Sequence, residues 1–400
     1  MIHGVAARRL PAVLGGVVAL TIGVSGCSTV IEGSAHKDPS VSAESVNTAL
    51  LQPGNYPTTK QAPPEPSARA GAITDVHQLA DHVIGPWQVD PALTQPIVTT
   101  IGPAIASPAL NLVLRAPGAD IANSHGFVNG FASGRAEPDQ EVARRAELIN
   151  VVMRFPNDQD AVAVATDTHQ QMEPPLDAAS SDPVPVSGHP EALAKKALAK
   201  DGRTVVSSFT ARGPFVLFQE AVAVDGARAE ALVSKTLDLQ LPAIDSFQPA
   251  DPAQFATMDT DPTHLWSRTL PTGNKIIPAM GVYGASGALH FLQPGAQQWF
   301  ETAGVDAVSF GQGGNRVYQA RDAAAAATLA DQVGKDYSDE AKPAGSVPGM
   351  PSARCFFADK SALKYICTAS ADRWVMITAS QQEKDAAQQL AAQYLILVGK

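Results

Sequence analysis

The chain has 400 residues, 45% of them hydrophobic, and a formal net charge of −10, a balance that disfavours nucleic acid and charge-driven adhesion to anionic lipid. A single core seldom serves a chain of that length, so two domains are expected. Aromatic residues make up only 6% while alanine is plentiful, a composition suited to Ala-rich helices packed closely on sheets.

The N-terminus carries an address. Arg8 and Arg9 form a positive n-region, and Leu10 to Gly23 is an apolar core, too short and glycine-rich for a spanning helix of about 20 residues. It closes on Val24-Ser25-Gly26-Cys27, where small residues suit a peptidase and the thiol of Cys27 suits a diacylglyceryl group. Residues 1–26 therefore read as a lipoprotein signal peptide and Cys27 as the lipidation site; a secretory peptide with an incidental cysteine is the alternative. The twin arginine fits folded export poorly, because Ala7 precedes it and Leu10-Pro11 follows. Cleavage would remove two arginines and no acids, taking the charge from −10 to about −12. Two acyl chains, at roughly 0.8 kcal/mol per buried CH₂, would hold the body to the extracytoplasmic face of a cell membrane. Residues 27–47 are polar and are expected to form a tether with an end-to-end distance of roughly 25 Å.

A short helical turn is expected over Ser45 to Leu51, then a turn at Pro53 to Thr58, then a Pro/Ala-rich surface run from Gln61 to Ala72. Trp87 follows a helix end at Gly85-Pro86 and is expected to be buried. Residues 91–117 are apolar but broken by prolines and take no assignment. Phe127 to Phe131 predicts a strand, Asp139 to Ala146 a helix with Arg144 and Arg145 on its wet side, and Leu148 to Phe155 a strand. Asn157 is placed to cap a helix running to about Gln171. After a Pro-rich connection, Thr204 to Ala211 and Phe215 to Val224 predict a hairpin about Arg212-Gly213-Pro214, and Ala227 to Leu239 a helix ending before Pro242.

The same order returns: a helix at Gln297 to Ala303, strands at Ala307 to Phe310 and Arg316 to Ala320, and an Ala-rich helix from Asp322 to Val333. A cysteine hairpin, a strand from Arg373 to Thr378 and a helix from Glu383 to about Leu395 close the chain. Phe215-Val216-Leu217 matches Trp374-Val375-Met376, and Gly188-His189-Pro190 matches Gly349-Met350-Pro351, at an offset of about 160 residues, the size of a domain rather than of a solenoid repeat. The fold class expected is α+β, in two similar halves, each a mostly antiparallel sheet with helices on one face. Phe215 and Leu217, or Trp374 and Met376, would enter the core while their neighbours face out. The N-terminal domain would span residues 48–250 and the C-terminal domain 251–400.

With Cys27 assigned to lipid, Cys355 and Cys367 remain as a pair on two strands joined by a turn. In an exported protein they read as a disulfide; a metal site is the rival, lacking a local histidine pair. The lipoprotein signal, Leu50-Leu51-Gln52-Pro53-Gly54-Asn55-Tyr56-Pro57-Thr58 and this hairpin together resemble an actinobacterial lipoprotein family, common in mycobacteria and nocardiae. That family is described only as a domain of unknown function with a distinct C-terminal domain. The resemblance implies a two-domain cell-envelope lipoprotein and brings no catalytic residues.

No stretch forms a catalytic signature. Gly284-Ala285-Ser286-Gly287-Ala288 and Gly130-Phe131-Ala132-Ser133-Gly134 approach a nucleophile elbow but misplace a glycine or the serine, and read as turns. Gly311-Gln312-Gly313-Gly314-Asn315 lacks a phosphate-binding lysine and reads as a hairpin turn. His77 and His82 are off the spacing for one helix face, and His125, His169, His189, His264 and His290 lack local partners. Asp158 and Asp160 belong to a helix start, whereas Asp259 with Asp261 and Asp339-Glu340 read as solvated loop charge. No cofactor is expected. The expected function is non-enzymatic binding of an unknown small molecule or protein, with a cleft between the halves as the natural place for a site; Trp87, Trp266 and Trp299 lie outside the duplicated hairpins and read first as core or interdomain packing, with lining such a cleft as the rival. The alternative function is an envelope hydrolase acting on ester or glycan bonds.

Overall fold

Two sets of apolar strands build two antiparallel sheets in a computed structural model, which describes residues 45–138, 141, 144–175, 178–271 and 277–399. The signal peptide, Cys27 and most of the tether lie outside the described residues. In the first half, α1 (Ala68–Ala80) and α2 (Pro86–Val89) precede the short strands β1 (Gln95–Pro96) and β2 (Gly102–Ala104). Then come α3 (Gly118–Ser124), β3 (Asn129–Ala136), β4 (Glu147–Arg154), α4 (Asp158–Gln171), β5 (Asp182–Val186), β6 (His189–Leu198), β7 (Thr204–Arg212), β8 (Phe215–Ala223) and α5 (Gly226–Asp245). The second half runs β9 (Gly281–Gly284), α6 (Ala285–Leu289), α7 (Ala296–Ala303), β10 (Ala307–Phe310), β11 (Arg316–Gln319) and α8 (Ala323–Glu340). It ends with β12 (Lys342–Pro343), β13 (Arg354–Phe357), β14 (Tyr365–Ala371), β15 (Trp374–Ser380) and α9 (Glu383–Val398).

The halves share one topology. The first sheet is ordered β1-β3-β4-β8-β7-β6-β5, with β2 also on β3; the second, read from its other edge, is β9-β10-β11-β15-β14-β13-β12. Their central hairpins turn at equivalent places, Gly213 (φ 54°) between β7 and β8 and Asp372 (φ 48°) between β14 and β15. Gly188 (φ 79°) and Gly349 (φ 77°) likewise match ahead of β6 and β13. These left-handed residues reverse the chain at little steric cost only where glycine, or a short polar side chain, is present.

The architecture is the expected α+β in two halves, with one departure: helices cover both faces of each sheet. In the first sheet Leu217 and Val152 join the cluster of Leu232, Val233 and Leu237 from α5, while Val216, Phe218 and Val151 join that of Ala161, Val164 and Ala165 from α4. In the second, Val375 and Ile377 belong with Leu329 of α8, and Met376 with Ala386 and Leu390 of α9. Phe215 to Phe218 are buried in succession, so the neighbours of Phe215 and Leu217 do not face out. A strand apolar on both sides needs an apolar layer on each, and every fully buried Leu or Val contributes roughly 1.5–3 kcal/mol.

Other expectations are corrected locally. Gln61 to Ala72 does not stay on the surface: Ser67 caps α1, whose buried residues include Ala70, Gly71, Ile73, Val76 and Leu79. Arg144 to Ala146 form no helix, and Arg145 pairs with Glu147. The helix expected over Ala227 to Leu239 does not end before Pro242: α5 continues through the proline to Asp245, with buried Ile244 beyond it. Gly130 to Gly134 lies inside β3, not in a turn. Asp261 is buried and accepts the N–H groups of Trp266 and Ser267, so it organises the chain between the halves instead of being solvated.

Candidate functional site

The halves meet at α1. It precedes the first sheet in sequence but lies against the second, because β9 offers glycines where side chains of α1 need room. His77 of α1 and Asp81, the residue that caps its C-terminus, stand four apart on one side of the helix. A Cβ on Gly281 would run into the His77 ring, one on Gly284 into the Asp81 carboxylate, and one on Gly287 would press on Ala80. The His77 Nε2–H donates to the Pro278 carbonyl (2.7 Å), and its ring sits 4.2 Å from that of Tyr283. Burial pushes the His77 pKa down to about 4, so the ring is neutral near pH 7. Burial raises the Asp81 pKa against the opposing pull of the backbone N–H groups it accepts, Gly287 at 2.7 Å among them. Around this joint Val76, Leu79, Phe131, Tyr283 and Leu289 belong to one core cluster running from one half into the other. Both halves lie in one compact unit.

Beside the joint opens a cleft of about 550 Å³, within the range usual for small-molecule sites. One wall is α1, with Ile73 and Thr74; the opposite wall is Met280 to Gly284; and Trp266, from the segment joining the halves, lines it as well. Of the three tryptophans outside the duplicated hairpins, Trp266 therefore lines the cleft instead of packing in the core. Trp87 is buried, with the Arg135 guanidinium 4.7 Å from its ring centre, and borders a smaller cleft of about 230 Å³ among α2, α6 and α7. Trp299 packs against the core.

A serine and a histidine do meet, at Ser133 and His290. The His290 Nε2–H donates to the Ala80 carbonyl (3.1 Å), which leaves Nδ1 to accept the Ser133 hydroxyl (2.8 Å). Burial lowers the His290 pKa to about 4. A nucleophile and base require such a contact, but both residues are sealed in the core and the second ring nitrogen faces a carbonyl, not a carboxylate. This pair fixes α6 to β3. Ser286, exposed at the junction of β9 and α6, gives its backbone N–H to Asp81. Arg135 is likewise structural: fully buried, it donates to the carbonyls of Thr94, Leu289, His290 and Leu292, and burial lowers its pKa to about 10. Sequence spacing concealed these links, since all but the Arg135–Thr94 bond join residues from different halves.

Cys355 and Cys367 are bonded, directly opposite each other on β13 and β14 with Cα atoms 4.1 Å apart. His125 lies between Asp160 (3.5 Å) and Asp167 (3.6 Å), and His189 contacts Asp238 (3.0 Å), so these histidines find partners far along the chain. Among the described residues no cluster of three or more histidines, cysteines or acids is placed to hold a metal ion. Gly313 (φ 66°) and Gly314 (φ 80°) make the expected turn between β10 and β11.

Residues 62–260 match the N-terminal domain, and residues 265–400 the C-terminal domain, of a family described as a domain of unknown function, DUF7373. No curated protein matches the sequence. Among solved structures, the extracellular domain of PknH from Mycobacterium tuberculosis is similar at 10% identity and a TM-score of 0.27, over 39% of this chain and 93% of that one.

Proposed function

The chain belongs to the DUF7373 family, whose two domains account for most of it, and on that footing we propose that it is a non-enzymatic ligand-binding lipoprotein of the actinobacterial cell envelope. The 550 Å³ cleft between the halves carries this reading, because apolar walls with a few polar groups are the usual make-up of a small-molecule site. Its walls come from both halves, so a ligand there would bridge α1 and β9 and stabilise their contact by binding only the folded chain. The signal sequence and Cys27 support anchoring on the extracytoplasmic face. Among the described residues no helix is long and apolar enough to cross a membrane.

Two measurements test the proposal. Cys27→Ala should move the protein from the membrane fraction to the soluble one; firm attachment of the variant would remove the anchor from the account. Thr74→Trp should fill the cleft and abolish the binding of a neutral apolar dye such as Nile red, leaving the fold intact by circular dichroism. Unchanged dye binding by the folded variant would dismiss the cleft as the site.

A further inference from the structure

We propose that the ligand of this cleft is a small amphiphile with an apolar body and a cationic head. The inference rests on the reading of the cleft as a binding site and adds its chemical selectivity. Ile73, Trp266, Met280 and Val282 supply apolar surface for the body. For the head, the described lining residues include three carboxylates, Glu65, Asp81 and Asp306, and neither lysine nor arginine. The histidine among them, His77, is spent on the Pro278 carbonyl and on its packing with Tyr283.

The three acids differ in how their charge is answered. Asp306 pairs with Arg373 (2.9 Å) and accepts from Gln319 (3.0 Å). Asp81 is engaged by backbone N–H groups at the start of α6. Glu65, exposed in the lining, has no ion-pair partner among the described residues. A cation placed there would meet Glu65 in a cleft that the half-buried Trp266 also lines, and an indole face attracts cations through its ring quadrupole. Among the described lining residues an anionic head would meet only like charge, the element that makes a site selective.

Three probes sharing one chain separate the possibilities: decyltrimethylammonium, decanol and decanoate, each below its aggregation limit and titrated into the purified chain by tryptophan fluorescence. The cationic probe should bind most tightly and decanoate least. Glu65→Gln should weaken the cationic probe about three- to five-fold, the worth of an exposed charge pair, and leave decanol unchanged. Decanoate binding as tightly as the cation, or a cationic affinity indifferent to Glu65→Gln, overturns the selectivity while the cleft stands. Binding of none of the probes, or binding that survives Thr74→Trp, overturns the cleft and this inference together.

Discussion

Asp81 at the C-terminus of α1 occupies the space that a side chain on Gly284 of β9 would need. The carboxylate accepts the Gly287 N–H at the start of α6, so this single residue both seats α1 on the second sheet and satisfies the helix that follows β9. Gly284→Ala is therefore expected to destabilise the protein by about 1–3 kcal/mol, because the buried Asp81 carboxylate has to leave its place and its bonds to the start of α6. In an Asp81→Ala background the same change should cost well under half as much. Urea midpoints of the four proteins in this cycle measure the coupling, and purely additive losses would show that the two residues do not compete for space.

Asp75 and Arg154 form a second tie within the joint. Asp75, fully buried, takes Arg154 (2.8 Å), Asn129 (2.8 Å) and the Ala250 N–H (2.9 Å), and Arg154 also reaches the Ala250 carbonyl (2.7 Å). The pair thus fastens α1, β3, β4 and the start of the connecting segment at one point. Removing only the acid strands a buried guanidinium, so Asp75→Ala should cost about 3–5 kcal/mol in urea unfolding. Asp75→Leu combined with Arg154→Met should recover much of that loss; an equal loss in the double variant would show that the bonds to Ala250 and Asn129 matter more than the ion pair.

How legible such features are in sequence follows from the range of the contacts that make them. The two-residue turn at Gly213-Pro214, the Asn157 cap and the β13–β14 cysteine hairpin are local, and turn chemistry or spacing announces them. The duplication shows because Phe215-Val216-Leu217 and Trp374-Val375-Met376 occupy the same place in the same hairpin. Helix α1 escaped detection because it is buried on most sides: Ala70, Gly71, Ile73, Asp75, Val76 and His77 leave no apolar stripe for periodicity to register. The cleft escaped residue-level assignment because Ile73, Trp266 and Val282 converge from three separate segments. Trp266 was the one signal available, as a tryptophan beside the Pro/Asp-rich connection.

The disulfide closes a short loop across β13 and β14, Cys367 following Cys355 at a sequence separation of 12. Constraining a loop of that size in the unfolded chain is worth about 3 kcal/mol in the chain-entropy account. Cys355→Ser with Cys367→Ser should lower stability by that order, read as a fall in melting temperature that dithiothreitol reproduces in the parent. Insensitivity of the parent to dithiothreitol, with both thiols titratable beforehand, would mean the bond does not form in the isolated protein.

His77 and His290 give the joint a pH dependence whose sign is fixed by burial. Both are held neutral, with pKa values pushed down to about 4 from an ordinary value of 6.5. The unfolded chain takes up protons at these residues first, so their contribution is intact above pH 6.5 and is lost as the pH falls from there towards 4. Between pH 7 and pH 5 the loss is about 2 kcal/mol for each histidine. Asp81 works in the opposite direction, since its raised pKa lets the folded chain take up a proton before the unfolded one. Urea unfolding across pH 7 to 5 should therefore show a stability that drops on acidification in the parent. His77→Gln with His290→Gln, which keeps a side-chain donor at each site, should flatten at least half of the slope. A slope of the parent's size in that double variant would assign the acid sensitivity to other groups.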